Sequence, residues 1–356
     1  MITLKSGNLL KSDAEALVNT VNCEGFMGKG IALQFKKAYP ENNREYVQAC
    51  RRGEVRPGTM LVHATGLMMN PRYIINFPTK RKWRQNSKIE DIELGLVALI
   101  AAVKRLGISS IAVPPLGCGL GGLNWEEVRP KIEAAFEEVP EVRVALFEPT
   151  GTPEARAMPI GTARPGLTIP RALVLALMNR YSALAYRLTL LEMQKMAYFL
   201  QVAGQPMRLQ YVQHLYGPYA HNLNHLLETL EGHYIQGYGD SQKPDVEVAL
   251  LPNAAEEAEA FLKSDELAMR RLTRVAELIE GFETPYGMEL LASVHWVAGR
   301  DEQPARSPKE AVTALHDWNE RKRKVFKPEH IELAWEHLQE HGWIDERPEG
   351  YIARTR

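Results

Sequence analysis

Residues 7–22, GNLLKSDAEALVNTVN, run directly into residues 23–35, CEGFMGKGIALQF, and the reading of this stretch decides the fold. Ala16 to Asn19 is a short β-type run, and a glycine-rich segment follows it at once. The pattern recurs downstream, where PLGCGLGG at 115–122 follows the β-type run Ile111 to Pro114. Glycine lets the backbone reach positive φ and approach a ligand closely, so successive N–H groups in such a loop can converge on a diphosphate. The loops would supply amides, not side chains. Neither segment closes with the Gly-Lys-Ser/Thr of a P-loop, and neither has the GxGxxG spacing of a dinucleotide fold.

Further β-type runs lie at Ile2 to Lys5, Met60 to Ala64, Tyr73 to Phe77 and Val142 to Phe147. Between them are helical segments, the alternation that builds a sheet between helices. Ile92, Leu96, Leu99, Val103 and Leu106 recur with helical spacing until Gly107 stops them, which marks a core-facing stripe. Asn124 followed by Glu127 has the form of a capping box, so a helix starts directly after the second glycine cluster, and a helix N-terminus there suits an anion. Residues 148–170, EPTGTPEARAMPIGTARPGLTIP, carry repeated Pro and Gly with no periodicity. The expected division is an α/β domain at 1–150, a linker at 151–170 and a mainly α-helical domain at 171–356. In the latter, Arg171 to Val202, Ala255 to Gly281 and His330 to His341 read as helical, and FKPEHIELAWEHLQEHGWI (326–344) with its tail could form the last helix and wing of a winged-helix unit.

Length agrees with two domains, because 356 residues exceed what a single core usually supports. With 45% hydrophobic and 24% charged residues the composition is ordinary globular. A formal net charge of -1 gives no global field for nucleic acid. Cys23, Cys50 and Cys118 are too few and too scattered for a disulfide framework or a zinc site, so no metal is expected and a reducing cytoplasm is the expected compartment. Neither a signal peptide nor a membrane span is readable.

GNLLKSDAEALVNTVN resembles the opening of macrodomains, where an acidic turn leads into a strand ending NAAN. GKGIALQF at 28–35 and GCGLGGLNWEEV at 117–128 resemble their two phosphate loops. The resemblance implies an α/β macrodomain, a mixed sheet between helices, that takes ADP-ribose as ligand and product and needs no cofactor. Its ligand residues would be Asn8, Leu9, Asn22, Gly28, Gly30, Ile31, Ala32, Leu116, Gly117, Cys118, Gly119, Leu120, Gly121 and Phe147. Asn8 would read adenine, Phe147 would stack on it, and Asn22 would bond the distal ribose.

NFPTK at 76–80 and GCGL at 117–120 resemble the subgroup that contains the terminal ADP-ribose protein glycohydrolase and the DarG antitoxins. That resemblance implies that Lys80, after the strand, is catalytic. Its amine could attack the anomeric carbon or, protonated, assist departure of the base. Protein-directed members carry an aspartate where this chain has Gly121, which turns the expected substrate from modified protein towards ADP-ribose on thymine bases of DNA. Beside Lys80, Arg81, Lys82 and Arg84 surround Trp83, so cations could meet phosphates while the indole stacks on an unpaired base. A non-catalytic ADP-ribose reader and a protein-directed hydrolase are the rival readings.

The segment 191–227, with its YGP turn at Tyr216 to Pro218, resembles helical antitoxin domains. The resemblance implies that residues 171–356 bind and neutralise a DarT-like ADP-ribosyltransferase toxin. The run ERKRK, Glu320 to Lys324, would instead suit DNA.

Overall fold

The computed structural model describes residues 1–149, 159–182, 188–239, 244–299 and 303–344. Its chain forms two compact units, Met1–Arg164 with Gly239–Gln242 and Pro165–Tyr238 with Lys243–Arg356. Residues 151–158 of the expected linker lie outside the described residues.

Unit 1 runs β1 (Ile2–Lys5), a 3-10 turn (Leu9–Lys11), β2 (Ala16–Asn22), α1 (Gly30–Ala38), α2 (Pro40–Arg51), β3 (Leu61–Ala64), β4 (Tyr73–Lys80), α3 (Ile89–Leu106), β5 (Ser110–Val113), α4 (Trp125–Phe136) and β6 (Arg143–Phe147). The strands form one sheet in the order β1-β6-β5-β2-β4-β3. Every neighbouring pair is parallel except β3 and β4, so the sheet is mixed, as expected. Central parallel strands are covered on both faces. Accordingly, Ala16, Val18, Ile75, Phe77, Ile111 and Val113 pack with Ile92, Leu96, Leu99, Val103 and Ile132 on one side. Leu17, Ile74 and Ala112 pack with Leu9, Leu10 and Phe35 on the other.

The α3 stripe lies where its spacing put it, and Gly107 closes the helix in the left-handed region at φ 62°. Within that helix Gly95 lies so close to β4 that a Cβ would come 2.2 Å from Phe77 Cζ. At the start of α4, Asn124 caps through the Glu126 N–H at 3.1 Å, one residue earlier than a capping box would use. Two strands exceed their expected lengths: β2 continues to Asn22 and β4 to Lys80, so Lys80 ends the strand and does not follow it.

Unit 2 is mainly helical, with two small antiparallel sheets. It runs α5 (Ile169–Ser182), α6 (Leu190–Val202), β7 (Tyr211–His214), β8 (Gly217–Ala220), α7 (Leu223–Leu230), β9 (Ile235–Gln236), β10 (Ala249–Leu250), α8 (Ala254–Leu262), α9 (Glu266–Ile279), α10 (Pro285–Ala298), α11 (Pro308–Trp318), α12 (Glu320–Val325) and α13 (Pro328–Glu340). The expected helix over Arg171 to Val202 is two helices, because Thr189 and Glu192 form a reciprocal capping box that starts α6 anew. Likewise Asp265 caps α9 through the Ala268 N–H at 2.8 Å and divides the segment from Ala255 to Gly281. Residues after Ile344, where a wing would lie, are outside the described ones.

The basic run at Glu320 to Lys324 is not an open cationic patch. Lys322 is fully buried, with its Nζ donating to Glu289 Oε1 at 2.8 Å and Ser293 Oγ at 3.0 Å. Arg321 makes two bonds to the same carboxylate, while Arg323 and Lys324 pair with Asp317 and Glu320. Arg321 and Lys322 tie α12 to Glu289 of α10, while Lys324 pairs within α12.

Candidate functional site

Parallel pairing brings the carboxyl ends of β1, β6, β5, β2 and β4 to one edge of the sheet, where open α/β sheets bind ligands. In that order the edge presents Asn8 beyond β1, Phe147 ending β6, the loop 114–124 after β5, the loop 23–29 after β2, and Lys80 ending β4.

The loop after β2 is built around Asn22. Its Oδ1 accepts from the N–H of Glu24 (2.9 Å) and Phe26 (3.4 Å), and its Nδ2 donates to the Phe26 carbonyl (2.6 Å). Buried Tyr46 of α2 donates to the Asn22 carbonyl at 2.7 Å and lies 3.1 Å from Oδ1. Asn22 therefore shapes the loop with the same atoms a ribose would use. At the loop's end Gly30 takes φ +58° and opens α1, whose N-cap Lys29 makes no side-chain cap, leaving a helix N-terminus facing the edge. The Gly30 N–H itself donates to the Gly239 carbonyl at 2.7 Å and is already occupied. Gly28 lies two residues earlier in the same loop; Ile31 and Ala32 pack inward against the core.

The loop after β5 is folded back on itself. Gly117 sits at φ +72°, and a Cβ on it would lie 2.8 Å from Leu123 Cδ1. A Cβ on Gly121 would lie 2.2 Å from the Gly117 carbonyl oxygen and 2.3 Å from Ser87 Oγ. The Ser87 N–H donates to the Gly121 carbonyl at 2.9 Å, while its buried hydroxyl has no hydrogen-bond partner. Leu116 is a core residue, Gly119 is exposed, and Cys118 donates weakly to the Leu116 carbonyl (3.5 Å) with its thiol pushed up to about 11 by burial.

Lys80 joins the two loops. Its Nζ donates to the Leu120 carbonyl, and Leu120 Cδ1 lies 3.3 Å from where a Gly30 Cβ would be. Asn22 pairs with Lys80 across β2 and β4, and Cys23 Sγ donates to the Lys80 carbonyl at 3.3 Å. Partial burial holds the Lys80 amine below the ordinary lysine range. Among the described residues no carboxylate is bonded to it; the next residue, Arg81, bonds Asp91 of α3 through two bonds of 2.9 and 3.1 Å. Arg81 is thus a link from β4 to α3 and not a spare cation. Lys82 and Arg84 are exposed, and the Arg84 guanidinium stacks 4.5 Å from the Trp83 ring.

At the other end, Asn8 Oδ1 caps the 3-10 turn through the Leu10 N–H at 2.9 Å. Leu9 is core. Phe147 is only 8% exposed and packs with Leu9, Leu10 and Phe35, so its ring is first a core aromatic.

Sequence reasoning passed over the polar lattice beneath Lys80. Asn19, Asn42 and Asn76 are all fully buried. Asn76 Oδ1 accepts from Asn19 (2.9 Å) and Asn42 (3.2 Å), and its Nδ2 donates to Asn42 Oδ1 (2.6 Å) and the Leu61 carbonyl (3.2 Å). The asparagines of NTVN and NFPTK were the available signal, since asparagine inside a β-type run has few uses except such bonding. Away from this edge, His337, Glu340 and His341 at the end of α13 bring donor atoms within 4.8 Å of one another, a possible metal grouping that the spacing i, i+3, i+4 could have revealed. No helix among the described residues is long and apolar enough to cross a membrane.

Residues 18–132 match the Macro domain family. A Thermus aquaticus protein, "DNA ADP-ribosyl glycohydrolase", is 45% identical over 354 residues, covering 99% of this chain and 97% of its own. A Mycobacterium tuberculosis protein of the same description is 41% identical over 355 residues, covering 95% and 99%. A Thermosipho africanus "DNA ADP-ribosyl transferase-DNA ADP-ribosyl glycohydrolase fusion protein" is 33% identical over 163 residues, 42% of each chain.

Proposed function

We propose, from the premise that this chain belongs to the DNA ADP-ribosyl glycohydrolase family, that its macrodomain removes ADP-ribose from thymine bases of DNA and that Lys80 breaks the bond. The observation that carries the reading is the half-buried Lys80 amine, bonded to the Leu120 carbonyl of the second glycine loop, on a strand whose backbone pairs with Asn22 at the start of the first loop. ADP-ribose is then laid along the carboxyl edge. Adenine sits towards Asn8 and Phe147, the diphosphate lies on the loop amides, and the distal ribose reaches Lys80.

Burial favours the uncharged amine, which suits a nucleophile. The Nζ lone pair attacks the anomeric carbon, the bond from that carbon to the thymine nitrogen breaks, and its electron pair leaves with the base. The proton that Nζ sheds neutralises the departing thymine. The ribose ring then opens, the bond from the anomeric carbon to the ring oxygen breaking to leave a C=N iminium on Lys80 and a hydroxyl at C4; water adds to that carbon, the bond to Nζ breaks, and the sugar recloses as ADP-ribose with free lysine. A mere reader of ADP-ribose would need the loops but no such amine. A protein-directed hydrolase is disfavoured because position 121 has no space for a carboxylate in this loop.

The test compares wild type with Lys80→Ala on a thymidine-modified oligonucleotide and on a modified protein, and adds borohydride during turnover. Wild type should release ADP-ribose from the oligonucleotide, Lys80→Ala should not, and borohydride should fix ADP-ribose to Lys80. An active Lys80→Ala protein refutes the mechanism, and release from protein alone refutes the substrate.

The second unit is proposed to bind a DarT-like transferase toxin, so that the chain acts as an antitoxin by two routes. The fused transferase and glycohydrolase in the Thermosipho relative supports this pairing. The internal pairing of the Glu320 to Lys324 run argues against DNA as that unit's partner. Titration of the full chain with such a toxin should give a stoichiometric complex; none at micromolar concentrations would refute the proposal.

A further inference from the structure

Two aromatic side chains beside Lys80 have no part in holding a diphosphate. Phe26 stands in the loop after β2 with 55% of its surface exposed, although the loop's own geometry is fixed by Asn22 and Tyr46 through backbone and amide atoms. Trp83, three residues beyond Lys80, faces it with ring centroids 6.3 Å apart at an interplanar angle of 56°. The two loops are tied at this point, because the Trp83 N–H donates to the Glu24 carboxylate at 2.9 Å and the Glu24 N–H donates to Asn22 Oδ1 at 2.9 Å. Arg84 lies 4.5 Å over the indole and limits its rotation.

The sheet order gives this pair a place along the ligand. In the proposed pose the adenine end, phosphate loops and Lys80 follow one another from β1 to β4, so the group attached to the distal ribose lies at Lys80, where the loop after β2 brings Phe26 and the residues after β4 bring Trp83. An exposed phenylalanine costs hydration free energy unless something covers it. A tilted aromatic pair opens a wedge suited to a flat, uncharged ring, and base stacking on aromatic side chains tolerates a base whose hydrogen-bonding edge is occupied by a glycosidic bond.

We propose that Phe26 and Trp83 together seat the pyrimidine from which ADP-ribose is cleaved, with Arg84 as a positioning residue for the indole. The inference rests on the function proposed above and adds the residues that recognise the leaving base. Phe26 makes the selection for a nucleobase over an aliphatic carboxylate side chain of a protein, which offers no comparable flat ring.

The experiment uses the full chain. Turnover of a single-stranded oligonucleotide carrying ADP-ribose on thymine gives kcat/KM, and calorimetry gives Kd for free ADP-ribose, for wild type, Phe26→Leu, Phe26→Trp and Arg84→Met. Phe26→Leu keeps an apolar side chain of similar reach but removes the π-face. It should lower kcat/KM by about 10-fold or more, the scale of one lost base stack, and leave Kd for ADP-ribose within about twofold, because only the side chain changes and the backbone bonds of Phe26 to Asn22 that shape the loop remain. Phe26→Trp should restore turnover, and Arg84→Met should fall between the two. Wild-type kcat/KM in Phe26→Leu overturns the inference alone, and so does an equal loss of ADP-ribose affinity, which would make Phe26 part of the phosphate loop. An inert wild-type protein on the oligonucleotide overturns both the inference and the function beneath it.

Discussion

Replacing Gly121 by alanine tests whether the second loop is as tightly determined as it looks. The added methyl would lie 2.2 Å from the Gly117 carbonyl oxygen and 2.3 Å from Ser87 Oγ, against ordinary contacts of 3.4 Å or more. Backbone strain is not the issue, because Gly121 does not occupy the left-handed region; the conflict is steric. Forcing an extra carbon into a packed place costs about 1–3 kcal/mol. If the loop stays shut, the loss falls on folding stability. If it opens, the free protein relaxes and ADP-ribose binding carries the loss, which at tenfold per 1.4 kcal/mol means a Kd raised by about 5- to 150-fold. Urea unfolding and calorimetric titration with ADP-ribose on the same protein measure both terms, and their sum should fall in the stated range. Ser87→Gly should not rescue Gly121→Ala, because the nearer obstacle is main chain. A Gly121→Ala protein with Kd within twofold of wild type and unchanged urea midpoint would refute the reasoning.

Asn76→Ala removes four hydrogen bonds and leaves the buried amides of Asn19 and Asn42 short of partners. At about 1–3 kcal/mol per orphaned group, a loss of roughly 2–5 kcal/mol is expected from urea unfolding, and a loss below about 1 kcal/mol would contradict the lattice's importance. Because burial lowers the Lys80 pKa, kcat/KM should climb with pH through an apparent pKa below 10.5 and lose that limb in Lys80→Arg; a flat profile would count against an amine nucleophile. In unit 2 burial lowers Lys195 from 10.5 to about 7, opposed by Glu289 and assisted by Lys322. Between those two values the unfolded chain holds more protons than the folded one, so stability should rise with pH across that window, by at most about 1.4 kcal/mol per pH unit. Below the window it should be level as far as Lys195 is concerned. Thermal melts from pH 7 to 9 should show the rise in wild type and a weaker one in Lys195→Met; equal slopes would exclude Lys195 as the source.

Much of the first unit was legible because its signals are local. The α3 stripe, the stop at Gly107 and the two glycine loops each depend on residues a few positions apart, and all occur where expected. Strand ends were less legible. Asn22 and Lys80 read as loop residues by propensity, yet pairing across β2 and β4 draws both into the sheet. The ties of Arg81 to Asp91 and of Glu24 to Trp83 span loops that sequence alone does not bring together, so the basic cluster looked freer than it is. In unit 2 the break before Thr189 was written in its own TLLE signal, but the apolar residues on both sides masked it. The burial of Lys322 could not be read, because a lysine in a charged run gives no sign that a carboxylate on α10 faces it.

In the proposed mechanism Lys80 works with no carboxylate bonded to it among the described residues, and the electrostatics of the edge suit that. The diphosphate, in this reading, is met by amides and the α1 N-terminus, which carry partial charges and no titrating proton. Lys80 is left with desolvation as the cause of its shift, so its amine is released from protonation at lower pH than a solvated lysine would be. A carboxylate at position 121 would reverse that, both by drawing the amine back to its charged form and by striking the Gly117 carbonyl. Glycine at 121 therefore keeps negative charge away from Lys80 by leaving no side chain there.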